Sequence, residues 1–339
     1  MPNLKIKLAF ITGLKEIVLE EIDQYPILRV VGEGEDSLYL DFMQDFAEIK
    51  HLRSVARAYL VAQHLKYNPL YISKHKSILG NFIDIIIDGN KNAFRTFKIA
   101  CAGSDSPKVR SIAEYIQETY KFTEKEEADL KIHIINIGKT WEVGIQITPR
   151  PLFVRDYKIE NMSGATNPTI TYAMNLLCEL KNAESYLNVF SGSATLLIEA
   201  GQCHQNLKRL IGFDNNKKHL SMAVRNIKKA RMIERIQLKE EDIFNKPDLG
   251  KFDAITSALP FGMVISKGKD IDKLYRCFVE YCQKALNHKG KLAVYTNQCE
   301  LWEKIILQSG FKIVKVLDLK LITSVNAYLY PKIFICELK

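Results

Sequence analysis

The 339-residue sequence predicts an α/β chain in which smaller α+β segments precede a mostly parallel sheet. Three observations carry this reading. From residue 168 onward, strand-like and helix-like segments alternate one for one, whereas residues 1–150 mix short alternating strands with isolated helices. A polar stretch marked by Pro and Gly, PRPLFVRDYKIENMSGATNP at 149–168, separates the two regions. The length suits two or three domains of about 150 residues each.

In residues 1–65, LKIKLAFI reads as a strand, GLKEIVLEEIDQ carries apolar residues at helical spacing, and ILRVV and SLYLDF are short strands. Residues 66–150 repeat the theme. FRTFKIACAG is a strand, SPKVRSIAEYIQETY is a helix begun by Ser106 with Pro107 at its first position, and DLKIHIINI pairs with TWEVGIQIT around Gly138-Lys139. These segments are read as two α+β domains, 1–65 and 66–150, joined by a linker, 151–167, to a third domain, 168–339. In that domain SYLNVF, TLLIEAGQC, RLIGFD, KKHLSMAVRNIKKA, RIQLKEED, FDAITSAL, IDKLYRCFVEYCQKAL and GKLAVYT follow in turn. Such a parallel sheet has helices on both faces and takes its ligand beyond the carboxyl ends of the strands. FKIVKVLDLK and NAYLYPKIFICEL then read as two successive strands, an antiparallel hairpin at the sheet edge.

The composition, 47% apolar, is that of a globular protein. No run of ~18 uninterrupted apolar residues occurs, and the N-terminal MPNLKIKLAFITGLKE leads into an acidic helix rather than a small-residue cleavage site. A cytoplasmic protein without membrane contact is expected. The seven cysteines are scattered and form no CxxC pair, which predicts free thiols rather than a disulfide framework or a metal site. Residues 1–150 hold 20 Lys+Arg against 20 Asp+Glu and residues 151–339 hold 28 against 19, so the net +9 lies in the second part. Residues 51–100 hold 8 basic against 2 acidic, a second positive zone. Two such zones suit a polyanion touching both halves, RNA or DNA; lysines kept for solubility are the alternative.

The first strand of the third domain ends in LNVFSGSATLLIEAG, a glycine-containing turn that lets backbone approach a ligand and points helix N–H groups at it. The turn is not GxGxxG, because Ala194 and Leu197 occupy two of the glycine positions, and this disfavours a nicotinamide enzyme. The second strand ends in IGFDNN, placing Asp214 about 20 residues after the turn, where a carboxylate accepts ribose hydroxyls. Asp242 in EEDIF ends the next strand and is placed to hold an adenine amine. Alone, each aspartate reads equally as a turn or helix cap; in this order they suit an adenosine ligand.

Residues 184–297 resemble a class I S-adenosylmethionine-dependent methyltransferase of Rossmann-like fold. LNVFSGSATLLIEA resembles the family's DPFCGSGTLLIEA, IGFDNNKKHLSMAVRNIKKA its second motif, and ALPFG its DPPYG or DLPFG turn. FVRDYKIENMSGATNPTITYAM resembles the segment leading into methylases that carry a THUMP RNA-binding domain. Residues 66–150 match that domain in pattern, with a ferredoxin-like domain before it at 1–65.

The resemblance implies S-adenosylmethionine as cofactor and an exocyclic guanosine amine in structured RNA as target. Transfer RNA is the expected partner and ribosomal RNA the alternative. Phe190, Gly192 and Ala194 would border the methionine part, with Asn188 at the place of the first-motif acid and Thr169 near the carboxylate. Asp214 and Asn215 would serve the ribose, and Asp242 and Ile243 the adenine. Ala258, Leu259, Pro260 and Phe261 form the catalytic turn, whose aromatic stacks on the flipped base and whose acceptors polarise the amine. Arg155 and Lys158, in the linker, would touch RNA.

Three departures fall at the site: Asn188 for an acid, Ala194 for a glycine, and Ala258 for the Asp or Asn of the turn. A methyl group accepts no hydrogen bond, and losing one at the reacting atom costs about 2–4 kcal/mol of barrier. A relative that binds RNA without methylating it is therefore the second reading. Ser257, one place earlier on the strand, should point to the opposite face. Trp141 and Trp302 read as core residues, and KKHLSMAVRNIKKARMIER as an amphipathic helix with Leu220, Ala223, Val224 and Ile227 on one face.

Overall fold

The computed structural model describes residues 4–65, 72–90, 93–101, 106–261, 270–324 and 326–339. The chain divides into two compact units, residues 1–10 with 18–153 and residues 11–17 with 154–339. No helix among the described residues is long and apolar enough to cross a membrane.

The elements up to residue 65 are β1 (Leu4–Ala9), α1 (Lys15–Ile22), β2 (Val30–Glu33), β3 (Ser37–Asp41), α2 (Ala47–His51) and β4 (Arg57–Leu65). Beyond it α3 (Ile72–Lys74) passes through a π turn into α4 (Asn81–Asp88), followed by β5 (Thr96–Cys101), α5 (Pro107–Tyr120), β6 (Thr123–Glu124), β7 (Leu130–Ile137) and β8 (Thr140–Gln146). The strands of the first unit make one eight-stranded sheet, β2-β3-β1-β4-β8-β7-β5-β6. It runs across the expected division at residue 65, because β4 pairs antiparallel with both β1 and β8; residue 66 lies outside the described residues. Alternation decides the faces: Ile6 and Leu8 of β1 are buried while their neighbours are half-exposed. Helix α5 buries Val109, Ile112, Ala113 and Ile116, the expected helical stripe. A buried carboxylate is accommodated by partners: Glu142 accepts from Gln63 Nε2 at 2.8 Å, meets His133 Nε2 at 3.0 Å and lies 3.7 Å from Lys7 Nζ.

The second unit alternates as expected: α6 (Pro168–Leu177), β9 (Ser185–Val189), α7 (Thr195–Cys203), β10 (Arg209–Asp214), α8 (Lys217–Lys229), β11 (Ile236–Glu240), β12 (Phe252–Ala258), α9 (Ile271–Ala285), β13 (Leu286–Thr296), α10 (Cys299–Leu307), β14 (Phe311–Asp318), β15 (Leu321–Ser324), β16 (Ala327–Leu329) and β17 (Lys332–Leu338). Its seven-stranded sheet has the order β11-β10-β9-β12-β13-β17-β14. The pairs from β11 to β13 are parallel, and β17 is antiparallel to both neighbours. Parallel strands buried on both faces are near-continuous apolar runs, and β9, β10 and β12 read so. The strand order reverses between β9 and β12, which opens a crevice at their carboxyl ends.

The closing strands differ in one respect from the sequence reading. β14 and β17 do pair antiparallel, but β17 enters between β13 and β14, and residues 321–329 form a separate two-stranded sheet, β15-β16. Pro331 divides the expected strand NAYLYPKIFICEL, because a residue without an N–H and with a fixed φ cannot continue a ladder. Trp302 is fully buried among Tyr275, Phe278 and Phe334, and the seven cysteines are thiols rather than disulfides. Helix α8 buries Ala223, Asn226 and Ile227 and starts at Asn216, whose side chain accepts from the N–H groups of Lys218 and His219.

Candidate functional site

The carboxyl end of β9 turns sharply into α7. Phe190, Gly192 and Ala194 all have left-handed φ values, +56°, +51° and +66°. Gly192 is needed there for a second reason: a Cβ on it would lie 2.8 Å from Met162 Cε. The turn is tied to β10 through Asp214, whose Oδ2 accepts from Gly192 N at 3.0 Å and whose Oδ1 accepts from Asn216 N at 2.9 Å. His219 Nδ1 stands 3.5 Å from the same Oδ1. Ala194 at the start of α7 carries no side chain that could cap the first N–H groups of that helix.

A cavity of about 280 Å³ opens over this turn. Phe190, Ser191, Gly192, Ser193, Thr195, Leu196 and Asp214 form one wall, and Ala258, Leu259, Pro260, Phe261 and Tyr295 another; Met162, Thr166, Thr171, His219 and Leu329 complete it with Gly164 and Ala165. Among the described residues the buried Ser191 hydroxyl has no hydrogen-bond partner, an unusual state for a buried polar atom and one that a ligand would relieve.

The turn at 258–261 is held by its own carbonyls. Tyr275 OH donates to Pro260 O at 3.0 Å and Gln298 Nε2 donates to Phe261 O at 2.8 Å, while Leu259 N donates to Tyr295 O at 3.0 Å. Burial pushes the Tyr275 phenol up to about 12, so it remains a donor at neutral pH. Among the described residues no donor reaches the Leu259 carbonyl. Gly262, the last residue of the sequence motif, lies outside the described residues. Ser257 faces away as expected, donating to Val189 O at 2.9 Å.

Of the residues expected at the cofactor and the base, the cavity brings together Phe190, Gly192, Asp214, Ala258, Leu259, Pro260 and Phe261. The others are elsewhere. Asn188 is fully buried between strands, donating to Thr256 O at 3.0 Å with its own oxygen unpartnered. Thr169 donates from both N and Oγ1 to Asn167 Oδ1, as part of the cap of α6. Ala194 is fully buried and does not line the cavity. Asn215 Nδ2 donates to Asp242 Oδ2 at 2.8 Å, and Asp242 also accepts from Phe244 N beside buried Ile243. Arg155 and Lys158, expected to touch RNA, both have partners within the second unit. Arg155 Nε pairs with fully buried Glu199 at 3.0 Å and Lys158 Nζ donates to Thr166 O at 3.3 Å, its pKa lowered by burial.

Sequence reasoning missed Tyr295, His219 and the segment from Met162 to Thr166. Tyr295 had a signal, since it ends the strand next to β12; the Met162 segment has no periodicity to place it.

Comparison with known proteins agrees with this geometry. Residues 155–323 match the family described as RMKL-like, methyltransferase domain. The match spans just under half of the chain. A tRNA (guanine(6)-N2)-methyltransferase of Archaeoglobus fulgidus is 21% identical over 211 residues, 55% of this chain and 53% of the relative. A U6 snRNA (guanine-N(2))-methyltransferase of Mus musculus is 30% identical over 133 residues, 39% and 24% of the two chains. The chain spans about half the length of the first curated relatives it matches. Among solved structures, TrmN from Thermus thermophilus superposes with a TM-score of 0.75 at 19% identity, covering 99% of this chain and 100% of that one. SMU.472, solved with S-adenosylhomocysteine, gives 0.72 at 15% identity, covering 100% and 99%. The second unit thus has the class I fold that the sheet order and the strand-end motifs predict.

Proposed function

We propose that this protein uses S-adenosylmethionine to methylate the exocyclic amine of a guanosine in structured RNA, with transfer RNA the first candidate. The observation that carries this reading is the meeting of the Gly192 turn, Asp214 and the Ala258–Phe261 turn on one cavity at the switch in strand order. The names of its curated relatives, guanine-N2 methyltransferases of tRNA and U6 snRNA, support the target. The first unit supplies a THUMP-type RNA-binding part, and the protein works in the cytoplasm.

The residues present fit the cofactor. The first N–H groups of α7 suit its carboxylate, the Ser191 hydroxyl its polar atoms, Asp214 the ribose, and the Asp242–Asn215 pair the adenine edge. When bound, S-adenosylmethionine supplies a methyl group on a positively charged sulfur. Phe261 offers a face for the flipped base, and the Leu259 carbonyl accepts an amine hydrogen, which localises the nitrogen lone pair. Tyr275 and Gln298 fix the turn in place so that this acceptor needs no reorganisation.

The second reading, a relative that binds RNA and cofactor without methylating, is favoured by Ala258. Two measurements decide. Calorimetry with S-adenosylhomocysteine should show binding, and its absence would end the methyltransferase reading. Labelled methyl transfer to bulk transfer RNA from a strain lacking the gene separates an active enzyme from an inactive relative.

A further inference from the structure

The turn lacks the polar side chain expected at Ala258, and two of its carbonyls are already engaged by Tyr275 and Gln298. One strand away, Tyr295 is the register partner of Ala258 in the parallel β12–β13 pair. Laterally paired residues of neighbouring strands present their side chains on the same face, and both residues line the cavity. The Tyr295 ring meets the Phe261 ring edge to face, with centroids 5.6 Å apart. Among the described residues no group hydrogen-bonds the Tyr295 hydroxyl, which is not sealed off as the Tyr281 hydroxyl is.

We propose that Tyr295 recognises the amine-bearing edge of the target base, its hydroxyl taking the place left by Ala258. The inference rests on the methyltransferase reading. A phenol both accepts and donates. It accepts one amine hydrogen while donating to the ring nitrogen beside the amine, a two-point match to an amino-purine stacked on Phe261. Burial raises its pKa, so the proton it donates is present throughout the neutral range. Tyr295 transfers no proton in this role; it orients the base and selects for the amine.

The test measures binding of two nucleosides to the full chain saturated with S-adenosylhomocysteine. 2-Aminopurine riboside carries the amine and is read by its own fluorescence; purine riboside lacks the amine and is read by competition. The wild type should prefer 2-aminopurine riboside about 20- to 100-fold, the effect of two hydrogen bonds from the amine, to Tyr295 and to the Leu259 carbonyl, in a closed site. Tyr295→Phe should lower that preference about 5- to 10-fold, leaving the part due to the Leu259 carbonyl, with unchanged affinity for S-adenosylhomocysteine and with purine riboside losing only the bond to its ring nitrogen. A preference that survives undiminished in Tyr295→Phe overturns the proposal alone. A wild type that binds no S-adenosylhomocysteine overturns the methyltransferase reading and this proposal with it.

Discussion

The Asp214 carboxylate grips the Gly192 N–H at 3.0 Å, so the residue proposed to bind the ribose also fixes the turn proposed to cradle the methionine. Asp214→Ala therefore removes a ligand contact and loosens the turn together. Calorimetry should show S-adenosylhomocysteine weakened about 10- to 100-fold, the range of a hydrogen bond to a charged group, with a lowered melting temperature in the absence of ligand.

Gly192→Ala tests the cradle itself. The left-handed φ of +51° and the 2.8 Å approach of a new Cβ to Met162 Cε both oppose the substitution. A loss of about 1–2 kcal/mol in urea unfolding is expected from the backbone alone, and the displaced Met162 should abolish the rise in melting temperature that S-adenosylhomocysteine gives the wild type.

Arg155→Ala should act on stability before it acts on RNA. Glu199 is fully buried, and the substitution takes away its 3.0 Å ionic partner while Tyr157 OH stays at 2.7 Å. Breaking a buried pair costs about 3–5 kcal/mol, which denaturant unfolding would register. A variant of wild-type stability with weakened RNA binding would return Arg155 to the surface role first expected of it.

Acid should weaken the first unit through Glu142. The hydrogen bond with His133, the amide of Gln63 and the charge of Lys7 outweigh the effect of burial and hold its carboxyl at about 2, against an ordinary value of 4.5. A depressed carboxylate stabilises the fold above its unfolded value, and that contribution drains away as pH falls through the folded value. The window is thus about pH 4.5 down to 2, and the amount is on the order of 2–3 kcal/mol. Glu142→Gln should lower stability at neutral pH and flatten the acid limb of the unfolding curve.

Ala258 and Tyr295 should be coupled. In the wild type, Ala258→Asn adds an acceptor where a hydroxyl already serves, and methyl transfer should rise less than about 10-fold; in a Tyr295→Phe background the same change should restore more. Equal factors in the two backgrounds would mean that the residues act independently.

The α/β unit was legible because its strands are apolar runs bounded by turns and its helices carry one apolar face. Gly192, Asp214 and Phe261 could be placed because each sits at the carboxyl end of a strand, where such sheets bind ligands. The single sheet of the first unit was not legible: the pairing of Tyr59 with Gln146 and of Leu60 with Ile145 joins distant stretches and leaves no local signature. Asn188 and Thr169 were assigned from motif position, yet their side chains turn to Thr256 and Asn167. Arg155 carried a charge that pointed to RNA, and nothing nearby in the sequence announced Glu199 as its partner.

The place of β17 has a consequence for synthesis. Because this strand follows β14 in the chain but lies between β13 and β14, residues 311–318 cannot join the sheet until residues 332–338 have been made. On the ribosome, β13 keeps a bare edge through the translation of α10, β14 and the small β15-β16 sheet, and exposed edges of this kind invite pairing with other chains. The nascent protein is most vulnerable to misassembly in that interval, and release from it comes in one step, when the strand of Ile333, Phe334 and Ile335 slots home.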